Sequence, residues 1–182
     1  MAETFLIVSD IHGDRDILET ILATRGDDAE VIFYNGDSEL SADDPIFDGV
    51  FTVAGNMDFD AEFAKENVVR AEDVTFFQTH GHLYDATNLL TWANLDKMAA
   101  AAKANGANVV LFGHTHKLGA QQHEGVLFIN PGSTTIPKGK YANVGGTYAT
   151  LRVEDDGAQI VEFFDRAGRV VPALTKRFAN EN

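Results

Sequence analysis

The sequence contains no cysteine among its 182 residues, and positively charged residues are few. The absence of cysteine excludes disulfide bonds and thiolate metal sites and suits a reducing cytosol. The 14 lysines and arginines are scattered along the chain against 28 acidic residues, which gives a formal charge of -14. Without a basic patch, the chain is expected to repel nucleic acid rather than keep it as a stable partner. The charge is interpreted as a source of solubility, with adaptation to a salty cytoplasm as the alternative.

Long hydrophobic runs are absent as well. The N-terminal apolar run FLIV is far too short for the hydrophobic region of a signal peptide or for a membrane span, and Glu3 stands where a signal peptide carries positive charge. We therefore expect a cytoplasmic protein with no membrane partner. The proportions of hydrophobic (45%) and charged (23%) residues are typical of soluble globular chains. Together with the length they predict a single domain over residues 1–182.

Short apolar runs rich in β-branched and aromatic residues alternate with turn signals in the first half of the chain. A helical pattern from Asp14 to Arg25 separates the first two runs, with Asp14 or Asp16 as its N-cap. A second helix is predicted from about Thr87 to Asn105, where Gly106 ends it. The runs themselves predict five buried strands, at Phe5–Ser9, Val31–Tyr34, Gly49–Ala54, Val74–Thr79 and Asn108–Phe112.

The second half of the chain is predicted to form hairpins. Glu124-Gly125 and the triplet from Asp155 to Gly157 are the turn signals. The segment Thr134–Gly145, with its proline, glycine and lysine residues, is the expected mobile loop. The mixture of the two halves predicts two mixed β-sheets packed face to face with helices outside, an α/β fold. The flanking strands are expected at Leu118–His123, Val126–Ile129, Gly146–Glu154 and Gln159–Asp165.

Metal-binding side chains follow each of the five strands predicted in the first half. In open α/β sheets, ligands bind in the crevice outside the carboxyl ends of the strands. Alternate residues of an extended chain project to the same side, so each pair spaced by one residue is expected to reach a common space. A single histidine beside a strand is ordinarily a surface or core residue, and a single Gly-Asp is ordinarily a turn. Here five of the six histidines fall in this series, and only His123 lies outside it, which favours a common site. The series is Asp10-Ile11-His12, Gly36-Asp37, Gly55-Asn56, His80-Gly81-His82 and Gly113-His114-Thr115-His116.

Carboxylate, amide and imidazole groups without thiolate suit Mn²⁺, Fe²⁺, Co²⁺, Ni²⁺ or Zn²⁺, and the imidazoles disfavour Ca²⁺. Seven ligands exceed the needs of one ion and suit two if one carboxylate bridges them. Asp10 and Asp37 cancel only part of the charge of two divalent ions, and Asn56 adds an oxygen without cancelling more. The net positive pocket that results attracts phosphate, lowers the pKa of bound water and can stabilise an in-line displacement.

Taken together, these motifs resemble the calcineurin-like metallophosphoesterase superfamily. Their spacing is most similar to that of its smallest members, the bacterial and archaeal phosphodiesterases related to the metallophosphoesterase-like subunit of retromer. The resemblance extends from Asp10 to Ser133 and includes Gly55-Asn56-x-Asp58 and the segment Asn130–Ser133 after a strand. It implies a four-layer αββα sandwich and a metal-dependent phosphoesterase, expected to be a phosphodiesterase in which a hydroxide bound to two divalent metals attacks phosphorus.

The resemblance also implies roles for individual residues. Asp37 is expected to bridge the two metals, one oxygen to each, and Mn²⁺ is the foremost candidate ion. His82 is expected to lie in the shell around the ligands or to contact phosphate. It is therefore the candidate catalytic residue, and Asn56 and His82 are the candidate substrate-binding residues. Asp58 is expected to orient a neighbour rather than to bind metal. The other ligands divide into Asp10, His12 and His116 for the first metal and Asn56, His80 and His114 for the second.

One position departs from the pattern of the wider superfamily. Many members have a histidine directly after the asparagine as the general acid, whereas this chain has Met57, which cannot donate a proton. The first hypothesis is therefore a phosphoesterase of low to moderate power acting on a small phosphoester. The alternative is a protein-interaction scaffold with little or no catalysis. The DNA-processing nucleases of the superfamily are disfavoured by size and charge, and a homo-oligomer is left open.

Overall fold

The computed structural model describes residues 1–85 and 90–180, which form eleven strands and two α-helices. The first sheet is mixed and has the strand order β11-β10-β9-β1-β2-β3. The second is also mixed, with the order β4-β5-β6-β8-β7. The first sheet contains β1 (Glu3–Val8), β2 (Val31–Tyr34), β3 (Val50–Thr52), β9 (Thr147–Val153), β10 (Gln159–Asp165) and β11 (Lys176–Phe178). The second contains β4 (Glu66–Arg70), β5 (Thr75–Thr79), β6 (Val109–Leu111), β7 (Gly119–His123) and β8 (Val126–Asn130).

Three hydrophobic clusters hold together the four layers of the fold, which are two β-sheets with a helix on the outer face of each. Side chains alternate along β1, so that Phe5 and Ile7 face the second sheet while Leu6 and Val8 face α1 (Arg15–Arg25). The outer face of the second sheet packs in the same way against α2 (Asp96–Ala104). The predicted four-layer αββα sandwich of two mixed sheets is therefore confirmed. No helix within the described residues has the length and apolar character needed to cross a bilayer.

The parallel strands determine where the polar loops meet. Strands β1, β2 and β3 run parallel in one sheet, and β5 and β6 run parallel in the other. Their carboxyl ends lie at the same end of the sandwich. A contact between the loop after β1 and the loop after β6 shows this: the Asp10 carboxylate accepts a hydrogen bond from the backbone N–H of His114 at 3.2 Å. One crevice between the two sheets thus receives the loops from all five strands.

The five strands predicted in the first half are present, and both hairpins form. Asp14 rather than Asp16 caps α1, accepting from the backbone N–H of Ile17 at 3.3 Å. The second helix is shorter than predicted, because it begins at Asp96, while residues 86–89 lie outside the described part of the chain. Strands β4 and β11 were not predicted. The segment Thr134–Gly145 is irregular apart from a 3-10 turn at Ala142–Val144, and its mobility stays a prediction.

Candidate metal centre

The structure brings the seven predicted metal ligands together in the crevice. The first group contains Asp10, His12 and His116, whose ligand atoms all lie within 4.8 Å of one another. The Nε2 atoms of His12 and His116 are 3.0 Å apart, and Asp10 Oδ1 lies 3.7 Å from the first and 3.3 Å from the second. This is the ligand set that the family resemblance implies for one metal.

The second group lies directly beside the first. Asn56 Oδ1 is 3.0 Å from His80 Nε2 and 3.0 Å from His114 Nδ1. Asp37 Oδ2 is 3.2 Å from His80 Nε2 and also 3.9 Å from His12 Nε2. Asp37 therefore stands between the two groups, as expected of a bridging ligand.

Each carboxylate turns one oxygen towards the centre and fixes the other on the protein. Asp37 Oδ1 accepts the backbone N–H of Met57 at 2.7 Å, which leaves Oδ2 for the centre. Asp10 Oδ2 accepts from Ser9 Oγ at 2.5 Å, while Oδ1 is buried and has no hydrogen-bond partner among the described residues. The expectation that Asp37 offers one oxygen to each metal differs from this geometry, in which a single oxygen faces both groups.

Hydrogen bonds on the far side of each imidazole fix which nitrogen faces the centre. The Nδ1–H groups of His80 and His116 donate to the carbonyl oxygens of Asn35 and Ile136, at 2.7 and 2.6 Å. A carbonyl oxygen can only accept, so these two tautomers are determined. The other two histidines are held by carboxylates, His12 Nδ1 by Glu39 at 3.0 Å and His114 Nε2 by Asp85 at 3.1 Å.

These tethers allow a test of whether the residues fit metal ions. When His12 and His116 are each protonated at Nδ1, their Nε2 atoms carry lone pairs. These lone pairs face each other and also face Asp10 Oδ1, which has no hydrogen-bond partner among the described residues. Such an arrangement is unfavourable unless a proton or a metal cation lies between these atoms. The donor set of imidazole, carboxylate and amide is one that divalent transition metals prefer. The residues therefore fit a cation at this position.

Glycines make room for the ligand side chains. A Cβ atom added at Gly55 would overlap Asp37 Oδ1, and one at Gly113 would lie 2.5 Å from Asp10 Oδ2. At Gly36 the added atom would lie 2.8 Å from His80 Nδ1. In each Gly-Asp, Gly-Asn and Gly-His pair, the missing side chain of the glycine thus leaves space for a ligand that follows another strand.

Gly55→Ala is expected to lower metal affinity roughly 10–100-fold, the range seen when groups supporting a ligand are lost. The added methyl group must displace the Asp37 carboxylate from its place between the two groups. Gly26→Ala is the matched control, because that glycine has a helical φ of -61° and the nearest atom to its added Cβ is 3.6 Å away. Titration of each metal-free variant with Mn²⁺ measures the effect, and equal affinities for the two variants would contradict it.

The backbone around the centre is strained. Five of the seven predicted ligands have positive φ, in the left-handed region that costs L-residues roughly 1–2 kcal/mol each. The loops are therefore not extended. The prediction that alternate side chains reach one space assumed an extended chain, and that assumption is wrong. The side chains still converge, because left-handed turns redirect them. The strained residues are Asp10 (57°), His12 (45°), Asp37 (59°), His114 (70°) and His116 (59°).

Polar residues around the ligands hold the loops in this geometry. Asp58 accepts the backbone N–H groups of Asp37 and Gly55 at 2.8 Å each and that of Glu39 at 2.9 Å, so its predicted orienting role is confirmed. The Ser133 hydroxyl donates to the backbone carbonyl of Asp10 at 2.7 Å. Asn130 donates to the carbonyl of Gly113 at 3.1 Å, which gives the segment Asn130–Ser133 a supporting function.

Charges inside the centre shift the pKa values of its groups. Burial raises the pKa of Asp37, but the hydrogen bond and charge of His80 outweigh this and leave the pKa below its ordinary value. Burial lowers the pKa of His80, whereas the carboxylates of Asp10 and Asp37 raise it to about 9. In the metal-free chain His80 is therefore protonated at neutral pH, and a metal must displace that proton when it binds.

His82 lies beside the second group of ligands. Its ring centroid is 5.4 Å from that of His80 and 6.3 Å from that of His114. Its Nδ1 atom is buried without a hydrogen-bond partner among the described residues. Burial, followed by the charges of His80 and His114, lowers the pKa of His82. The direction of this shift favours the neutral ring, and the ring lies next to the imidazoles of the second group.

Comparisons with known proteins identify the family of this chain. The sequence matches the model of the calcineurin-like phosphoesterase superfamily domain over residues 4–156. It is 34% identical over 172 residues to the probable metallophosphoesterase YsnB of Bacillus subtilis strain 168, covering 94% of this chain and 96% of that protein. The chain therefore belongs to the calcineurin-like phosphoesterase superfamily.

Solved structures show the same fold. A predicted phosphoesterase from Streptococcus pneumoniae TIGR4 superposes with a TM-score of 0.90 at 34% identity, covering 99% of each chain. Vacuolar Protein Sorting 29 from Cryptosporidium parvum gives a TM-score of 0.69 at 18% identity, over 98% of this chain and 99% of that chain. The second likeness concerns the fold alone.

Proposed function

We propose that this chain is a phosphodiesterase whose centre holds two divalent metal ions. Asp10, His12 and His116 would hold one ion, Asn56, His80 and His114 would hold the other, and Asp37 would be shared by both. The observation that carries the proposal is the set of imidazole nitrogens and carboxylate oxygens that face one space, with the far side of each imidazole and carboxylate fixed by a hydrogen bond. When bound, the metals supply Lewis acidity towards phosphoryl oxygens and lower the pKa of water.

We propose Mn²⁺ as the foremost ion, and the donor set of imidazole, amide and carboxylate also accommodates Fe²⁺, Co²⁺, Ni²⁺ and Zn²⁺. Asp10 and Asp37 cancel two of the four positive charges that two divalent ions bring. The remaining positive charge attracts a phosphate ester into a chain whose formal charge is -14. The same acidic surface disfavours nucleic acid, so the proposed substrate is a small phosphoester in the cytoplasm.

Two residues are assigned to the substrate in this proposal. Asn56 is exposed at the mouth of the crevice, so its side chain can contact a phosphate oxygen as well as a metal. His82 places an imidazole beside the second group of ligands, and burial lowers its pKa, which favours the neutral ring. A neutral imidazole still carries one N–H group, which can donate to a phosphate oxygen or to the leaving oxygen.

One observation favours a second candidate, a protein-interaction scaffold with little or no catalysis. Met57 occupies the position next to Asn56 and is 40% exposed, so no proton donor stands there. The complete set of seven ligands favours the enzyme, because a scaffold does not require bare nitrogens facing a buried carboxylate. Catalysis at full metal occupancy separates the two candidates.

Elemental analysis combined with a panel of phosphate esters tests the proposed function. About two transition-metal ions per chain are expected, and removing them with a chelator should abolish hydrolysis until metal is restored. Inorganic phosphate should inhibit competitively, since it binds where the ester phosphate binds. Purified protein that contains only Ca²⁺, or hydrolysis that persists after the metals are removed, would rule the mechanism out.

A further inference from the structure

Large apolar side chains are exposed around the mouth of the metal centre. Among the described residues, eight large hydrophobic side chains are exposed, and four of them are on loops that carry or support the ligands of the centre. We call these four the apolar rim. It consists of Met57 (40% exposed), Phe59 (89%), Leu83 (48%) and Ile136 (45%).

Each member of the apolar rim is linked to a residue of the centre by the chain or by a hydrogen bond. Leu83 follows His82, and the carbonyl of Ile136 accepts the Nδ1–H of His116 at 2.6 Å. Met57 donates its backbone N–H to Asp37 at 2.7 Å. Phe59 follows Asp58, whose carboxylate holds the loop of Asp37. The rim therefore belongs to three of the loops that form the centre.

The size of the rim fits a small ligand. Its four side chains expose on the order of 400 Å² together, since a fully exposed aromatic side chain contributes about 150–250 Å². A patch of this size on a monomer is commonly functional. A stable protein complex buries about 800 Å² on each partner, roughly twice what the rim offers. A small molecule with an apolar group is thus a better match in area than a protein surface.

Charges of both signs lie on the loops around the centre. Asp58, between Met57 and Phe59, uses its carboxylate to hold backbone N–H groups, and Glu39 on the neighbouring loop holds His12. Lys138 lies two residues after Ile136, and Arg166 donates to the carbonyl of Thr134 on the same loop. The metal centre is therefore the position for a phosphate, and the rim is the position for an apolar group. An ester with one phosphate and one apolar group satisfies both features.

We propose that the substrate is a phosphate ester with one large apolar group, an alkyl chain or an aromatic ring, that lies on the apolar rim while the phosphate lies on the metals. This inference rests on the proposed phosphoesterase function of the same site. It selects lipid-like or aromatic phosphoesters over nucleotides and sugar phosphates, whose alcohol groups are polar and lose hydration on such a surface.

Alkylphosphonates test the inference by equilibrium binding, since they carry one anionic head and one apolar group and are not hydrolysed. Dissociation constants of methyl-, butyl- and hexylphosphonate are measured by calorimetry on the Mn²⁺-loaded protein. Affinity should increase roughly two- to fourfold for each methylene that reaches the rim, on the order of 10²-fold from methyl to hexyl. Equal affinities for the three phosphonates would overturn the inference.

Variants of the rim locate the effect. Phe59→Ser should lower the hexyl-to-methyl affinity ratio on the order of tenfold, because it removes the most exposed apolar side chain of the rim. Val68→Ser is the matched control: Val68 is 43% exposed on the edge strand β4, outside the rim, and its loss should leave the ratio unchanged. If both variants lower the ratio equally, the rim is not the binding surface.

The outcomes also separate this inference from the proposed function. Selective binding of hexylphosphonate without hydrolysis of any ester contradicts the enzyme and retains the apolar subsite. Hydrolysis of esters with no preference for alkyl length retains the enzyme and overturns the inference. Light scattering examines a second copy as the occupant: dimers that form with concentration and disappear in Phe59→Ser would assign the rim to self-association and overturn the inference.

Discussion

Asp37→Asn is expected to lower the turnover of phosphate esters on the order of 10³-fold, about 4 kcal/mol in activation free energy. It is also expected to reduce the bound metal below two ions per chain. Asp37 lies within contact distance of both groups, with Oδ2 3.2 Å from His80 and 3.9 Å from His12, and Asp10 Oδ1 also comes within 3.8 Å of His80. Its loss therefore weakens both positions at once.

The geometry explains why an amide cannot replace this carboxylate. The Met57 N–H donates to Asp37 Oδ1 at 2.7 Å. If the oxygen of the substituted amide keeps that hydrogen bond, the NH₂ group takes the place of Oδ2 and points its protons at the metals. If the amide turns over, its oxygen faces the metals but two donors oppose each other at Met57. Either orientation costs a hydrogen bond or a ligand, in addition to the lost charge.

Asp60→Asn is the matched control for Asp37→Asn. Asp60 also accepts backbone N–H groups, those of Ala42 at 2.9 Å and Glu62 at 3.0 Å, but it does not contact the centre. Its replacement removes one negative charge from a neighbouring loop and should leave metal content and turnover near the wild-type values. Wild-type turnover at wild-type metal occupancy in Asp37→Asn would show that Asp37 is not a bridging ligand.

The positions of the predicted ligands could be inferred from the sequence because they depend on local signals. Each ligand follows a short apolar run that ends in glycine or a polar residue, and the carboxyl ends of parallel strands meet at one end of a sheet. The glycines in these motifs indicate close packing against ligands as well as turns. Gly55 and Gly113 leave space for Asp37 and Asp10, ligands from other strands.

The groups that orient the histidines could not be inferred. Glu39 and Asp85 contact His12 and His114 across 27 and 29 residues of chain, and neither belongs to a motif. The acceptors for the other imidazoles are backbone carbonyls, which every residue possesses. Such contacts depend on the tertiary structure, and residue type alone contains no signal for them.

The missed secondary structure has a similar origin. Of the five residues of β4 only Val69 is buried, so this edge strand has no clear alternation of polar and apolar residues. The predicted start of the second helix failed for the opposite reason. Leu90 and Leu95 are buried against the second sheet as a helical pattern requires, but Thr91 begins a turn in which its carbonyl accepts the N–H of Asn94 at 3.0 Å. Burial of periodic apolar residues does not by itself make a helix.

Met57→His is expected to raise the rate on esters with poor leaving groups and to flatten the dependence of rate on leaving-group pKa. With methionine at this position, the leaving oxygen departs largely unprotonated or takes its proton from water. Nitrophenyl esters should then be cleaved readily and alkyl esters slowly. A positioned general acid contributes about 10²–10⁴-fold, roughly 3–5 kcal/mol. The side chain is 40% exposed, so an imidazole can replace it without disturbing the core.

Only part of that factor should be recovered, because the neighbouring carboxylate is already occupied. Asp58 accepts three backbone N–H groups and lies 3.3 Å from the Ser38 hydroxyl, so both of its oxygens are used to hold the loops. It is therefore not free to orient a new imidazole at position 57. An unoriented imidazole loses rotational freedom in the transition state, which reduces its contribution. We expect a gain on the order of tenfold for alkyl esters and little change for nitrophenyl esters.

The measurement is a series of rates across leaving groups of increasing pKa, for wild type and Met57→His at matched metal occupancy. Met57→Gln is the control, since it changes polarity at the same position without adding a group that titrates near pH 7. A steep slope for wild type and Met57→Gln, with a shallower slope for Met57→His, supports the missing-acid interpretation. A shallow slope already present in wild type would contradict it and assign proton donation to another group. His82 is then the first residue to replace, because its ring lies 5.4 Å from that of His80 and its Nδ1 has no hydrogen-bond partner among the described residues.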